Sequence, residues 1–245
     1  MSIDSNTRTI GLSISMHNEV QETKRAVESF LKFHPKSEVK LWGNEKSELS
    51  LVGSTLGIPV IDSPQYVNKL MSLLHSDGDK DWTVAAGILR EFLTCALGVY
   101  SQMNSEFVMY MHPDHLVVGS LRSARLKHDL EIHKVNKYSD RQRNAWFEAT
   151  GKDLELKSYG LAGYFRRESL VSALECLLDP KRIDLELLMS RDLDFIFEDL
   201  IIPCAFDYLG FQIKDQNLTR ELRRRRRLKS FFIRPVLLHQ VSRLP

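Results

Sequence analysis

The sequence predicts an α/β fold in which helices cover both faces of a mixed, mainly parallel sheet. Short apolar segments alternate with longer segments of helical periodicity along most of the chain, which is typical of β-α-β units. One apolar segment, residues 107–111, is continuous, as expected for a strand that is buried on both faces. With 245 residues and 43% hydrophobic side chains, the chain can bury one substantial core.

The first hundred residues contain three predicted strands and two predicted helices. Residues 10–16 alternate apolar and small polar side chains, which predicts a strand, and residues 20–33 carry apolar side chains on one helical face. Residues 38–42 predict a second strand and complete a β-α-β unit, while a proline makes the short third strand at residues 58–61 edge-like. The clearest helix covers residues 82–100, whose apolar side chains keep i, i+3, i+4 spacing.

The strand at residues 107–111 follows this helix and ends abruptly in His112, Asp114 and His115. A proline between the two histidines removes a backbone donor that a continuing strand would need. Open α/β sheets bind ligands beyond the carboxyl ends of such strands, so we expect chemistry here. Residues 122–157 are charged and weakly patterned, and we expect them to form an excursion from the sheet.

The pattern becomes regular again near residue 159. Residues 159–165 combine small and aromatic side chains that allow close backbone approach, and residues 169–178 predict a short helix. A later helix is predicted to hold Pro203 in its first turn, where proline is tolerated, and to end at Gly210. Residues 211–213 then predict a short strand.

Composition gives no direct indication of a polyanionic partner, because 34 basic and 32 acidic residues leave a net charge of +2. The polar N-terminus lacks the apolar core of a signal peptide, and no segment approaches about 18 uninterrupted apolar residues, so we expect a cytoplasmic protein. The cysteines match no zinc or redox spacing and are expected to be buried small hydrophobes: Cys95, Cys176 and Cys204.

Two groups of residues offer chemistry, each with an alternative interpretation. Asp114, between His112 and His115, has the oxygen and imidazole ligands suited to Mn²⁺ or Mg²⁺, or it simply caps a turn. Glu198 and Asp199 either direct a carboxylate into a cleft or complement the dipole of the following helix.

Several common enzyme motifs are absent from the sequence. It contains no G-x-G-x-x-G, Walker or G-x-S-x-G motif, which argues against dehydrogenase, P-loop and serine hydrolase chemistry. Gly160 and Gly163 instead suit close backbone approach to a ligand or to a neighbouring helix. Arg166 and Arg167 are either a solvated pair or guanidinium groups at the edge of a cleft, where they suit phosphate.

Five consecutive arginines occupy residues 223–227 and are followed by apolar residues at 231–233 and 236–238. On a helix they would cover every face, so this segment cannot pack in a core. Solvation, binding to nucleic acid through phosphates, and docking on an anionic membrane surface are all open interpretations. The absence of aromatic residues among the arginines makes nucleic acid the least favoured.

Four segments, taken in order, form a recognisable series. They are residues 13–19 at the end of the first strand, the His112 to Leu121 segment, the glycine-bearing residues 160–167, and Glu198-Asp199 about ten residues before Gly210-Phe211-Gln212-Ile213. The series resembles the nucleotide-sugar-dependent glycosyltransferases of the A-type (GT-A) fold, particularly the inverting family 2 type. The resemblance implies a Rossmann-like GT-A domain at residues 1–215 and a basic, apolar tail at residues 216–245.

The resemblance also implies roles for particular residues. Asp199 corresponds to the general base that deprotonates the acceptor hydroxyl, with Glu198 as its partner. Asp114 takes the place of the Mn²⁺ or Mg²⁺ ligand, and His115 assists because a histidine, His112, occupies the first acidic position of the family's Asp-x-Asp motif. The residues implied to bind the nucleotide-sugar are Met16, His17, Asn18, Glu19, Glu45, Arg90, His112, Gly163 and Arg166.

The function implied is transfer of a hexosyl group, with inversion, from a UDP- or GDP-sugar to a hydroxyl of a glycan, lipid-linked or protein acceptor. The enzyme would act in glycan biosynthesis in the cytoplasm, with peripheral docking on a membrane through its tail. Two alternatives remain at this stage. One is a non-catalytic nucleotide- or carbohydrate-binding protein on a transferase fold, and the other is a membrane- or nucleic-acid-binding protein that uses the arginine run.

Overall fold

The computed structural model describes residues 9–16, 20–43, 46–62, 69, 72, 81–113, 115–117, 126–132, 136–159, 163–215, 219–221 and 237–239. Its strands are β1 (Ile10–Met16), β2 (Val39–Gly43), β3 (Val60–Asp62), β4 (Phe107–Tyr110), β5 (Leu116–Val117), β6 (Leu130–Ile132), β7 (Asn136–Lys137), β8 (Ser158–Tyr159), β9 (Gly163–Arg166), β10 (Ile213–Asp215), β11 (Thr219–Glu221) and β12 (Leu237–His239).

A seven-stranded sheet with the order β10-β6-β9-β4-β1-β2-β3 forms the centre of the molecule. β9 is antiparallel to both of its neighbours, β4 and β6, and the other pairings in this sheet are parallel. The predicted mixed, mainly parallel sheet is therefore confirmed. Two smaller sheets accompany it, one with the order β11-β12-β5 and the other formed by the antiparallel pair β7 and β8.

Helices cover both faces of the central sheet, as the sequence predicts. They are α1 (Val20–Phe33), α2 (Lys46–Leu56), α3 (Trp82–Ser101), α4 (Asp140–Thr150), α5 (Arg167–Leu178), α6 (Leu185–Arg191) and α7 (Glu198–Tyr208), with a 3-10 turn at Leu193–Ile196. α1 and α2 contribute Phe30, Leu49 and Val52 to the core on one face. The larger core on the other face contains residues of α3 to α7.

The predicted long helix is α3, which differs from the prediction by one residue at its end. Asp81 begins it by accepting a hydrogen bond from the Val84 N–H at 3.0 Å. By length and composition α3 is apolar enough to cross a membrane. Its apolar side chains are instead accounted for by the core, in which nine of its residues are buried: Ala85, Ala86, Ile88, Leu89, Phe92, Leu93, Ala96, Val99 and Tyr100.

A buried polar network fastens the last turn of α3 to the sheet. Ser13 of β1 donates a hydrogen bond to the Tyr100 hydroxyl at 3.3 Å and accepts one from Trp42 Nε1 of β2 at 3.0 Å. Burial is the main cause that raises the pKa of Tyr100 above its ordinary value, so this phenol stays protonated and able to hydrogen-bond. The network sets the distance between α3 and the strands that it covers.

The predicted excursion at residues 122–157 is wrong in part, because β6 lies inside the central sheet between β9 and β10. The sequence does not indicate a buried strand here, because the central residue of β6 is the charged Glu131. The structure accommodates the fully buried carboxylate through hydrogen bonds to Oε1 from the Lys127 N–H at 2.9 Å and from the His128 N–H at 3.3 Å. Trp146 of α4, from the same segment, is also fully buried in the core.

The helix predicted to hold Pro203 in its first turn begins earlier than expected. α7 starts at Glu198, so Pro203 lies in its second turn and cannot donate the helical hydrogen bond to the carbonyl of Asp199. Gly210 follows the helix with a φ of 74°, which fits the predicted C-terminal glycine. The strand expected at residues 211–213 is displaced to Ile213–Asp215.

Candidate active site

One edge of the central sheet collects the carboxyl ends of its parallel strands, and we call it the ligand edge. Met16 and Gly43 end β1 and β2 in register with one another. Tyr110 ends β4, Ile132 ends β6, and both pair with Gly163 at the start of the antiparallel β9. Ligands of open α/β sheets bind at this kind of edge, so the side chains here are the candidates for function.

The first turn of α7 brings two adjacent carboxylates to the ligand edge. The buried Tyr110 donates a hydrogen bond to Glu198 Oε1 at 2.5 Å, which joins the end of β4 to the start of α7. Burial first, and then the nearby Glu198 carboxylate, raises the pKa of Tyr110 well above its ordinary value. The phenol therefore remains a donor and holds Glu198 in place. Phe197, which immediately precedes the pair, is 46% exposed to solvent.

Asp199 has the electrostatic character of a base. Burial, followed by the charge of the neighbouring Glu198, raises the pKa of Asp199 from 3.8 to about 7. Hydrogen bonds from its own N–H and from that of Leu200 at the helix N-terminus oppose this rise only in part. A carboxylate with a pKa near neutrality can accept a proton and release it again at physiological pH.

Two tyrosines that the sequence did not indicate as site residues lie near the first turns of α7. The pKa of Tyr159 in β8 is raised first by burial and next by the charge of Asp199, so the two side chains influence each other. The ring of Tyr138 lies 5.1 Å from the ring of Tyr159, measured between centroids. Tyr138 donates a hydrogen bond to the Leu200 carbonyl at 3.2 Å and accepts one from Cys204 Sγ at 3.1 Å.

His112 and His115 extend the site beyond the end of β4. The His112 ring contacts the Tyr110 ring edge to face with centroids 5.5 Å apart, and the His112 and His115 rings stack at 5.7 Å. The Nε2 atom of His112 is buried and has no hydrogen-bond partner among the described residues. Such an atom is a possible ligand for a cation or a phosphate oxygen.

A complete set of metal ligands is not found in the part of the chain that the structure describes, where no group of three His, Cys, Asp or Glu side chains is placed to hold an ion. Asp114, the predicted ligand, lies outside the described residues. Imidazole is a common ligand of divalent transition metals, so His112 and His115 have the chemistry of such ligands.

Gly163 and Arg90 are two of the predicted nucleotide-sugar-binding residues that the structure describes. Gly163 lies at the ligand edge, and a Cβ atom there would come within 3.0 Å of the Glu131 carbonyl oxygen, so glycine allows the close approach of β9 and β6. Arg90 lies midway along α3, half-buried, and forms no hydrogen bond or ion pair with the described residues.

Arg166 is not brought to the ligand edge. β9 runs antiparallel to β4, so Arg166 pairs with Phe107 at the opposite end of the strand, about 10 Å from Gly163 at the usual rise per residue. Its guanidinium forms ion pairs with Glu106 at 3.5 Å and Asp129 at 3.2 Å. These contacts give Arg166 a structural role in place of the predicted phosphate contact.

Other predicted site residues lie outside the described part of the chain. The backbone of Met16 is described as the end of β1, but its side chain is not. His17, Asn18, Glu19 and Glu45 are not described, and neither is the arginine run at residues 223–227.

The mixed sheet and the helices that cover it have the same fold as a solved glycosyltransferase. The chain matches the galactosyltransferase LgtC, solved in complex with donor and acceptor sugar analogs, with a TM-score of 0.56 and 11% identity over 94% of this chain and 86% of that one. It matches an active-site mutant of LgtC with a TM-score of 0.52 and 10% identity over the same shares. At these identities the likeness concerns the fold. No protein-family model and no curated protein sequence matches the chain.

Proposed function

We propose that this protein transfers a sugar from a nucleoside-diphosphate donor to a hydroxyl of an acceptor. The observation that carries the proposal is the pair Glu198 and Asp199, held by Tyr110 at the ligand edge of a glycosyltransferase fold. The galactosyltransferase LgtC was solved in complex with donor and acceptor sugar analogs, which supports this type of substrate.

The proposed chemistry is a single displacement at the anomeric carbon. Asp199 accepts the proton of the acceptor hydroxyl while that oxygen forms a bond to the anomeric carbon and the bond to the diphosphate breaks, which inverts the configuration. Glu198, held in place by Tyr110, raises the pKa of Asp199 and so increases its strength as a base. Because the pKa of Asp199 is about 7, the rate of transfer should fall about tenfold per pH unit below that value.

The donor diphosphate would lie on the side of the site that carries His112 and His115. We propose that Asp114, with these histidines, holds Mn²⁺ or Mg²⁺, and that Arg90 contacts the diphosphate. The cation would supply positive charge to the departing nucleoside diphosphate. Exposed Phe197 would offer its ring to the apolar face of the acceptor sugar.

The decisive experiment compares binding and transfer in an Asp199→Asn variant. We expect thermal shifts with a panel of UDP-, GDP- and CDP-sugars to be retained, because donor contacts lie elsewhere, and transfer to be lost. Loss of the base commonly reduces the rate by about 10²–10⁴-fold. Full transfer by the variant would exclude Asp199 as the base. Binding of a nucleotide-sugar by the wild-type protein without transfer or hydrolysis would instead indicate a binding protein.

The donor side has a separate test that does not depend on activity. We expect calorimetric titration of the Asp114→Ala variant with UDP to show weaker binding, and the difference from wild type to require MnCl₂. A wild-type titration that is unaffected by MnCl₂ would exclude the metal. The control is Asp140→Asn, which changes an exposed carboxylate in the first turn of α4.

A further inference from the structure

A basic cavity is lined by residues of α4, of β7 and of the segment between α4 and β8. Its volume is about 520 Å³, and its described lining consists of Lys137, Tyr138, Arg143, Leu154, Glu155 and Lys157. Three of these side chains are cationic and one is anionic. The cavity therefore carries an excess of positive charge in a chain whose total charge is nearly balanced.

The rim of the cavity is held in a defined geometry. Arg143 donates hydrogen bonds to the carbonyls of Leu154 at 2.7 Å and Leu156 at 3.1 Å, which fix its guanidinium. Among the described residues, no carboxylate forms an ion pair with it. Lys137 pairs with Ser158 across the β7–β8 ribbon, which places Lys157 next to this pair. Within the described residues neither lysine forms an ion pair, and both are exposed.

The cavity is connected to the proposed base through two aromatic rings. Tyr138, which lines the cavity, hydrogen-bonds to the carbonyl of Leu200, the residue after Asp199. Its ring lies 5.1 Å from that of Tyr159, whose pKa is affected by the charge of Asp199. A ligand that occupies the cavity would therefore contact a side chain that is hydrogen-bonded to the residue after Asp199.

We propose that this cavity binds an acidic sugar residue of the acceptor, through a carboxylate or phosphate group held by Lys137, Lys157 and Arg143. The inference rests on the proposed transferase function and adds a substrate class to it. The oxyanion lies among the three cations, and a sugar ring attached to it extends past Tyr138 and Tyr159 towards Asp199. A neutral sugar would leave these positive charges uncompensated, so acidic acceptors are preferred.

The test measures binding without a donor. Methyl glucuronide, glucose 6-phosphate and neutral methyl glucoside are titrated by NMR into wild type and into a Lys137→Gln/Lys157→Gln double variant. Both lysines are exposed, so the variant should fold. We expect the acidic ligand to bind wild type more tightly than the glucoside does, and to lose about tenfold in affinity in the variant. The control is the Lys36→Gln/Lys181→Gln variant, which changes two exposed lysines outside the cavity lining.

The outcomes separate this inference from the proposed function. A preference for glucuronide over glucose 6-phosphate identifies a carboxylate ligand, and the reverse identifies a phosphate. Equal affinity of the double variant and wild type, or equal binding of the neutral glucoside, overturns the acidic-acceptor site. Acid binding that depends on the lysines, in a protein that transfers no sugar, preserves the cavity site and refutes the transferase. If the protein transfers sugar to neutral acceptors and the double variant binds the acidic ligands as wild type does, the transferase function is supported and the acidic-acceptor site is refuted.

Discussion

Replacement of Asp199 by Asn should change how stability depends on pH. The pKa of this carboxyl is about 7 in the folded protein, against an ordinary value of 3.8. A group whose pKa is raised by folding binds its proton more tightly in the native state than in the unfolded state. Its contribution to the free energy of unfolding is therefore present near pH 5 and disappears as the pH rises towards 8. The Asn variant is neutral throughout and avoids this loss.

The magnitude follows from the two pKa values. For a carboxyl with these two pKa values, raising the pH from 5 to 8 lowers the free energy of unfolding by about 2.5 kcal/mol. Because Asp199 is partly exposed to solvent, screening reduces this amount, and we expect about 1–2 kcal/mol. The free energy of unfolding of Asp199→Asn, relative to wild type, should therefore increase by that amount over this pH range.

Urea denaturation at pH 5, 6, 7 and 8, followed by the fluorescence of the buried Trp42 and Trp146, measures the effect. Asp140→Asn is the matched control, because it removes an exposed carboxylate from the first turn of another helix. Its difference from wild type should stay constant between pH 6 and 8. If Asp199→Asn shows the same constant difference, Asp199 does not carry the raised pKa and is not poised as a base.

Three further variants test the site and its support. Tyr110→Phe leaves Glu198 without its donor and should lower the free energy of unfolding by about 1–2 kcal/mol, measured with urea; unchanged stability would exclude a significant bond. Gly163→Ala places a Cβ 3.0 Å from the backbone carbonyl of Glu131 and should cost about 1–3 kcal/mol, seen as a lower Tm. Phe197→Ala should raise the acceptor KM about threefold to tenfold with little change in kcat; a fall in kcat alone would contradict stacking on the acceptor.

Elements whose periodicity is local were predictable from the sequence. α3 was predicted closely because its apolar residues repeat at helical spacing over nearly its whole length. β6 was missed because it has only three residues and its central one is Glu131, whose burial depends on backbone donors from residues 127 and 128. A carboxylate that accepts backbone hydrogen bonds in this way cannot be distinguished from a solvated one in the sequence.

The site was predictable where the pattern itself placed residues at strand or helix ends. His112 follows β4 and Glu198 begins α7, at the strand end and the helix start where the pattern placed them. Tyr159 and Tyr138 were not, since their proximity to Asp199 depends on pairing between distant segments. Arg166 was expected to contact the nucleotide-sugar, but it lies at the end of β9 that is opposite to the ligand edge. The direction of a strand within a sheet is not encoded in its residue pattern, and β9 runs antiparallel.

The pairing of β12 with β5 affects how the protein should be handled in the laboratory. Leu237 and Leu238 of β12 lie opposite Val117 and Leu116, and β5 begins one residue after His115. A protein shortened at residue 215 would lack β12. The backbone groups of β5, which directly follows His115, would then be exposed. Purification tags therefore belong at the amino terminus. On the proposed function, loss of nucleotide affinity after C-terminal truncation would reflect damage to the segment around His115.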